Sequence, residues 1–399
     1  MIRSFIALLM IAPIAIAADW PQFRGPNGAS VSSETGLPSG FTKEGGLRWK
    51  APLPGRGLSS PVIVGGRAYI TCSSGPKDDR LHVLSFDAGT GTQLWHRQLA
   101  ATGLTFAHPK TCMAAPTPVA DATGVYALFA TGDLACYDLD GTLRWYRSLV
   151  GDYPTVSNQV GMASSLILHK DKLIVPMDNA GESFVAAIDT KTGKNVWKVD
   201  RPRDVNWVSP ILKTSGESAE VLFPTSSDLV AYDVATGKKN WSAKVPSGGI
   251  PSPTLGDDGF LLVGNRGVTA YTLKDNKPTQ AWTSPKMPTG FSSALVYEGL
   301  VYAANPAGIV LCADAKTGKI LWEERVNGPF SGSPVAADGK LFVINEAGVL
   351  TTLRLGDKAE KLAESKTGEE GLATPAISGG AIFLRGDKSL FCIGSKLGG

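Results

Sequence analysis

Along this chain short apolar runs alternate with polar, glycine-rich turns, and few segments are long enough for a helix. Runs such as Ala68-Tyr69-Ile70, Leu173-Ile174-Val175, Leu261-Leu262-Val263, Val301-Tyr302-Ala303 and Leu341-Phe342-Val343 are flanked by turn-forming residues, the pattern of short strands. Ahead of these runs stands a step of two small residues and a proline: Ser60-Pro61, Ala115-Pro116, Ser209-Pro210, Ser252-Pro253, Ser333-Pro334 and Thr374-Pro375, with Ser164-Ser165 and Ser293-Ala294 as variants. Each step opens one unit of four short antiparallel strands.

A second signature closes each unit. Asp87, Gly91 and Trp95 recur as Asp189, Gly193 and Trp197, as Asp233, Gly237 and Trp241, and as Asp314, Gly318 and Trp322. The Asp can accept hydrogen bonds from turn amides, the Gly can take positive φ, and the Trp lands on the next strand, so each copy is a hairpin with a defined turn. Weaker copies fill the gaps. Asp138, Gly141 and Trp145 form one that is a residue shorter, Trp282 ends one whose turn reads Lys274-Asp275-Asn276-Lys277-Pro278, and a copy near Leu353 to Leu362 has lost its Trp.

Units of this kind close into a ring when four-stranded sheets pack around an axis, shielding most sheet edges. The spacing predicts how. From Trp to the next proline position is 12 residues at 241 to 253, 282 to 294 and 322 to 334, and Trp49 precedes Pro61 by the same 12. Leu47-Arg48-Trp49-Lys50 is therefore a fourth strand without a unit of its own, while the last unit, Thr374 to Gly394, supplies only three strands. The prediction is an all-β, eight-bladed propeller whose last blade is completed by the N-terminal strand.

The repeat resembles the docking motif of the PQQ-like repeat superfamily, which includes quinone-dependent alcohol dehydrogenases and BamB, the propeller of the outer-membrane β-barrel assembly machine. The resemblance covers residues 46 to 396. In addition, Asp19-Trp20-Pro21-Gln22-Phe23-Arg24-Gly25-Pro26 is similar to the start of mature exported proteins in a branch of that superfamily described as PQQ-binding-like.

Length and composition agree with a repeat architecture. A chain of 399 residues would ordinarily split into several domains, but repetition extends one architecture without enlarging any single core; the 46 Gly and 26 Pro supply its turns. The net charge of +3 gives no reason to expect a nucleic-acid partner. Arg3, the apolar stretch Phe5 to Ile16 and Ala15-Ile16-Ala17 read as a cleaved signal peptide over 1–17, followed by an extended arm over 18–45 and the propeller over 46–399. With no later segment apolar enough to cross a membrane, the expected product is an exported, periplasmic or secreted, monomeric propeller.

Candidate chemistry is sparse. Cys136, Cys312 and Cys392 stand two positions before the turn Asp, where a small residue packs beneath a Trp. Cys72 and Cys112 fit no such slot and are expected on one face of neighbouring blades, within reach of a disulfide. His82, His96, His108 and His169 make no metal-ligand pair at helical or hairpin spacing, and no hydrolase, Walker or zincin motif is present. The family resemblance allows PQQ with calcium, but the adjacent Cys-Cys pair of many of those enzymes is missing and no calcium-binding carboxylate set is marked, so no cofactor, metal or catalytic residue is expected.

A binding face is expected where the repeats are elaborated. The fourth-to-first connections span 21 residues after Trp95 and 20 after Trp145, against the basal 12. These insertions carry His108, Lys110, Tyr153, Asn158 and Gln159, and the next connection holds Arg201, Arg203, Asp204, Asn206 and Trp207. An aromatic beside arginines near a central funnel suits recognition of a peptide, sugar or flat ring; Trp207 could equally plug the channel. The resulting expectation is a non-catalytic cell-envelope scaffold, resembling BamB, that binds a protein or peptide partner. The alternative is a propeller that binds a quinone (PQQ) or another small ligand and that could be a redox-active relative of the quinone enzymes.

Overall fold

A computed structural model describes residues 18–42, 45–157, 161–256, 259–264 and 266–395. The signal segment, Asn158 and Gln159 lie outside the described residues. Eight four-stranded antiparallel sheets form the blades of a β-propeller. Blade one contains strands Val62–Val64, Arg67–Ser74, Arg80–Asp87 and Gln93–Ala100. The same order repeats through blade seven, which ends at Lys361–Lys366. Blade eight takes Ala376–Ser378, Ala381–Arg385 and Ser389–Ile393 from the C-terminus, and Leu47–Pro52 from the N-terminus. The N-terminal strand runs antiparallel to the last one, with Trp49 opposite Cys392 and Ala51 opposite Leu390. The ring is closed as its spacing predicts.

What joins the blades is the recurring Trp. Its indole N–H donates to a main-chain carbonyl in the following blade: Trp49 to Ala88 (3.0 Å), Trp95 to Leu139 (2.9 Å), Trp145 to Thr190 (2.9 Å), Trp197 to Val234 (3.0 Å), Trp282 to Ala315 (2.8 Å) and Trp322 to Gly356 (3.0 Å). For five of these six, all but Trp322, the following blade's turn Gly lies under the indole. At Gly193, with φ +70°, a Cβ would come within 2.8 Å of the Trp145 ring, so this position demands Gly both for its conformation and for the close approach. The turn itself is set by the Asp. Asp189 accepts from the amides of Lys191 (3.1 Å) and Thr192 (2.8 Å) and from the Thr192 hydroxyl (2.8 Å).

Two departures from the repeat have local causes. Trp241 faces the degenerate turn of blade five, and its N–H instead meets Glu220 of its own blade at 3.4 Å. In blade seven the Trp position is taken by Ala363, paired with Thr352. There the arm fills in, with Gly40 lying against Ala363 and the Phe41 amide donating to the Ser365 hydroxyl at 2.9 Å. Opposite the Trp on the third strand stands a small residue: Ser85, Cys136, Ala187, Ala231, Ala270, Cys312 or Cys392.

The arm of residues 18–42 crosses one end of the ring, the face carrying the first-to-second and third-to-fourth turns, here called the lower face. Trp20 bridges Ile63 of blade one, Pro21 accepts from the Ala120 amide of blade two, and Ser32 donates to Ala336 of blade seven. Glu34 accepts from the Gly379 and Gly380 amides of blade eight.

Candidate functional site

The first strands of all blades surround the axis, and the small-residue steps that open them form a relay. The amide of Ser60 donates to the Thr117 hydroxyl (3.0 Å), Thr117 to Ser165 (3.1 Å), Ser165 to Ser209 (2.9 Å), Ser209 to Ser252 (3.0 Å), Ser293 to Ser333 (3.1 Å) and Ser333 to Thr374 (3.0 Å). A short hydroxyl side chain is needed because each spans one seam between blades. At the two remaining seams a buried arginine takes over. Arg24 of the arm reaches the Ser252, Pro253 and Ala294 carbonyls and the Thr254 hydroxyl between blades five and six. Arg385 reaches the Ser59 hydroxyl (2.7 Å) and the Thr71 carbonyl (2.7 Å) between blades eight and one. Burial pulls the Arg24 guanidinium down to about 9, a desolvation cost accepted in return for capping several carbonyls at once.

Inside this ring a funnel of about 520 Å³ opens on the upper face, where the fourth-to-first connections lie. Phe23 of the arm lines its lower end, and Leu58, Trp207, Ile250, Phe291 and Leu372 contribute to its walls. Three of the predicted residues, His108, Lys110 and Trp207, line it. The Trp207 indole N–H donates to Gly161 at 2.7 Å, which fixes the ring in the wall. Lys110 reaches over the mouth to both oxygens of Glu346 in blade seven (2.9 and 3.0 Å) and sits 5.3 Å above the Phe291 ring. The upper-face connections also present apolar surface: Leu104 and Phe106 of the first insertion are 62% and 59% exposed, and Phe291 and Ile250, which line the funnel, are exposed too.

The other predicted residues go elsewhere. Arg201 is buried and bonds Asp178 through two nitrogens (2.7 and 2.9 Å), stacking 4.7 Å from Phe223. Burial opposes its charge, yet the Asp178 hydrogen bonds hold its pKa above the ordinary arginine value. Asn206, also buried, donates to Asp178 (3.2 Å) and to the Pro224 carbonyl (2.8 Å). Asp178 thus braces both side chains within the connection, and neither lines the funnel. Tyr153 packs 4.6 Å from Phe184 and accepts from Asn195 at 2.7 Å, among residues of blade three. Arg203 is exposed and Asp204 half-buried on the same connection.

One expected pair is not bonded, and one pair that the sequence spacing did not mark is in contact. Cys72 and Cys112 are free, buried thiols. Cys72 belongs to the core between blades eight and one, Cys112 to the core between blades one and two, and the Arg385 guanidinium lies 3.4 Å from the Cys72 sulfur. Burial pushes both thiols up, Cys112 to about 11. Conversely, His82 and His96 do meet: His82 Nδ1 lies 2.9 Å from His96 Nε2, and His82 Nε2 lies 2.7 Å from the Ser74 hydroxyl. A bulge between Ser85 and Phe86 shifts the register so that His96 faces Leu84 and shares a sheet face with His82. Without that extra residue the two rings would point to opposite sides.

Comparison with known proteins agrees with this architecture. The profile of the PQQ_2 family, described as outer membrane protein assembly factor BamB, matches residues 30–175, 155–257 and 264–391. The chain belongs to the PQQ_2 family. It is 26% identical over 183 residues to the outer membrane protein assembly factor BamB of Nitrosomonas eutropha, covering 43% of this chain and 42% of that one. It is 23% identical over 352 residues to a polyvinylalcohol dehydrogenase of a Sphingopyxis species, covering 74% and 49%. These matches span about half or less of the relatives' own length. The crystal structure of BamB from Moraxella catarrhalis superposes with a TM-score of 0.62 at 15% identity, covering 88% of this chain and 98% of that one, a likeness of fold.

The resemblance of the repeat to quinone-dependent alcohol dehydrogenases raises the question of a quinone with calcium. Calcium takes six to eight oxygen ligands, with carboxylates prominent among them. The funnel lining offers Ser and Thr hydroxyls but neither Asp nor Glu, and no cluster of three or more His, Cys, Asp or Glu suited to a metal occurs among the described residues. The donor set does not fit that cofactor pair. No helix among the described residues is long and apolar enough to cross a membrane.

Proposed function

We propose that this PQQ_2-family propeller is an exported, non-catalytic scaffold of the cell envelope that binds a protein or peptide partner on its upper face, with an apolar side chain of the partner entering the funnel. The observation that carries this reading is the pairing of a largely apolar funnel, bounded below by Phe23, with exposed Leu104, Phe106, Ile250 and Phe291 on the same face. A concave apolar site rimmed by exposed aromatics is the arrangement in which one buried anchor supplies most of the binding energy. The match to BamB, named for outer-membrane protein assembly, supports a partner of that class.

A second reading, a small-ligand site, is favoured by the ring of hydroxyls around a funnel of ring-compound size. The two separate experimentally. Titration with PQQ and calcium, followed by visible absorbance and thermal denaturation, is expected to leave the protein unchanged. A stoichiometric complex with dye-linked alcohol oxidation would instead establish the quinone reading.

A further inference from the structure

We propose that His82 and His96 form a binding site for a divalent transition-metal ion on blade one, selective for ions that accept ligands at right angles, such as Cu(II) or Ni(II). The two imidazoles come from adjacent strands, Arg80–Asp87 and Gln93–Ala100, and their rings lie 5.0 Å apart with His82 Nδ1 and His96 Nε2 facing each other at 2.9 Å. The hydrogen bond across that gap carries one proton; on metal binding His96 would hold its proton on Nδ1 and His82 on Nε2, which frees both facing nitrogens as ligands. Two metal–nitrogen bonds of about 2.0–2.1 Å at 90° span about 2.9 Å, whereas the tetrahedral angle preferred by zinc needs about 3.3–3.4 Å. The observed separation therefore suits square-planar or octahedral coordination once both rings turn so that their lone pairs converge beside the line joining the two nitrogens.

The surroundings prepare the rings as ligands. The Ser74 hydroxyl, 2.7 Å from His82 Nε2, can accept its proton and leave the Nδ1 lone pair directed at His96, the outer contact that ligating histidines usually have. His82 is only 3% exposed, and burial, with His96 and Arg80 adding to it, pulls its pKa down to about 4. His96 is also lowered, by burial and by Arg97. Burial and the neighbouring Arg80 and Arg97 thus disfavour the protonated rings that would compete with a metal. His96 is half-buried, leaving further coordination positions to water. The neighbouring Arg80 and Arg97 charges oppose a dication, which makes the site exchangeable instead of permanently filled.

Bound metal would tie the third and fourth strands of blade one together next to the ring closure. His96 pairs with Leu84, and Leu84 packs in the core shared with Trp49 and Ala51 of the N-terminal strand.

The test is titration of the chelator-treated mature protein with Cu(II), Ni(II) and Zn(II), read by calorimetry, by electron paramagnetic resonance for Cu(II), and by melting temperature. The expected result is one equivalent of Cu(II) with hyperfine coupling to two nitrogens, weaker Zn(II) binding, and a melting temperature that rises with Cu(II). Affinity should fall by at least about 100-fold in His96→Ala, a half-buried position where folding is retained, and by about tenfold in Ser74→Ala. His169→Ala should bind as the unsubstituted chain does. Absence of stoichiometric binding, or full binding retained in His96→Ala, would overturn the proposal.

Discussion

Replacing Trp49 with Ala should loosen the one blade whose strands come from both ends of the chain. Trp49 is buried, donates to Ala88 at 3.0 Å, covers Gly91 and meets Phe383 edge-on at 5.9 Å. Truncating a buried Trp costs about 3–5 kcal/mol, mostly lost packing, with the hydrogen bond contributing roughly 1. Trp241→Ala provides the internal comparison. Its indole is half-buried and reaches only Glu220 of its own blade at 3.4 Å, so its loss should cost no more than about 2 kcal/mol. Guanidinium unfolding followed by fluorescence and circular dichroism gives both values from the midpoint shift at constant slope. Limited proteolysis adds a local readout, since cleavage just after the clasp strand, near Leu53 to Arg56, should accelerate only in Trp49→Ala. If the two variants lose equal stability, or Trp49→Ala loses less, the Trp–carbonyl docking does not carry the closure.

Further consequences follow from the same contacts. Asp178→Ala leaves Arg201 buried without its counter-charge, and should cost about 3–5 kcal/mol in chemical denaturation. Gly193→Ala places a Cβ 2.8 Å from Trp145 at φ +70°, whereas Gly216→Ala, at φ +57°, meets nothing within 4 Å; the first should lower stability by about 2–3 kcal/mol and the second by only about 1, the backbone cost alone. In metal-free protein the His82 pKa of about 4 lies below its unfolded value of 6.5. The unfolded chain then binds more protons between these values, so stability is full above about pH 6.5 and falls toward pH 4, by as much as ~3 kcal/mol from this group. Denaturation midpoints measured from pH 7 to 4 should show that loss reduced in His82→Gln.

The ring was legible because local and global demands coincide in the same residues. The Asp–Gly–Trp spacing sets a turn and at the same time docks one blade onto the next, so counting from Trp to Pro revealed both the number of blades and the orphan strand at Trp49. The funnel residues His108, Lys110 and Trp207 were visible as departures from the repeat. What escaped depends on contacts that no period announces. Arg201 looked like a recognition residue because its partner, Asp178, lies in another connection. The His82–His96 pair was hidden by a one-residue bulge that reverses which face His96 occupies. Phe23 and Arg24 could be seen as part of a recognisable N-terminal segment, yet nothing in their spacing shows that the arm runs beneath the channel and completes a seam between blades five and six.

The central claim is that the upper face, with its apolar funnel, receives a protein partner. It is tested most directly by site-specific photo-crosslinking in intact cells, with the probe placed at Phe106 on the upper face and, as control, at Lys238 in an exposed turn of the lower face. A discrete polypeptide adduct from Phe106, absent from Lys238 and lost when Trp207→Ala and Phe291→Ala are combined, is the result this account predicts. No adduct from Phe106, or the same adduct from both faces, would contradict it.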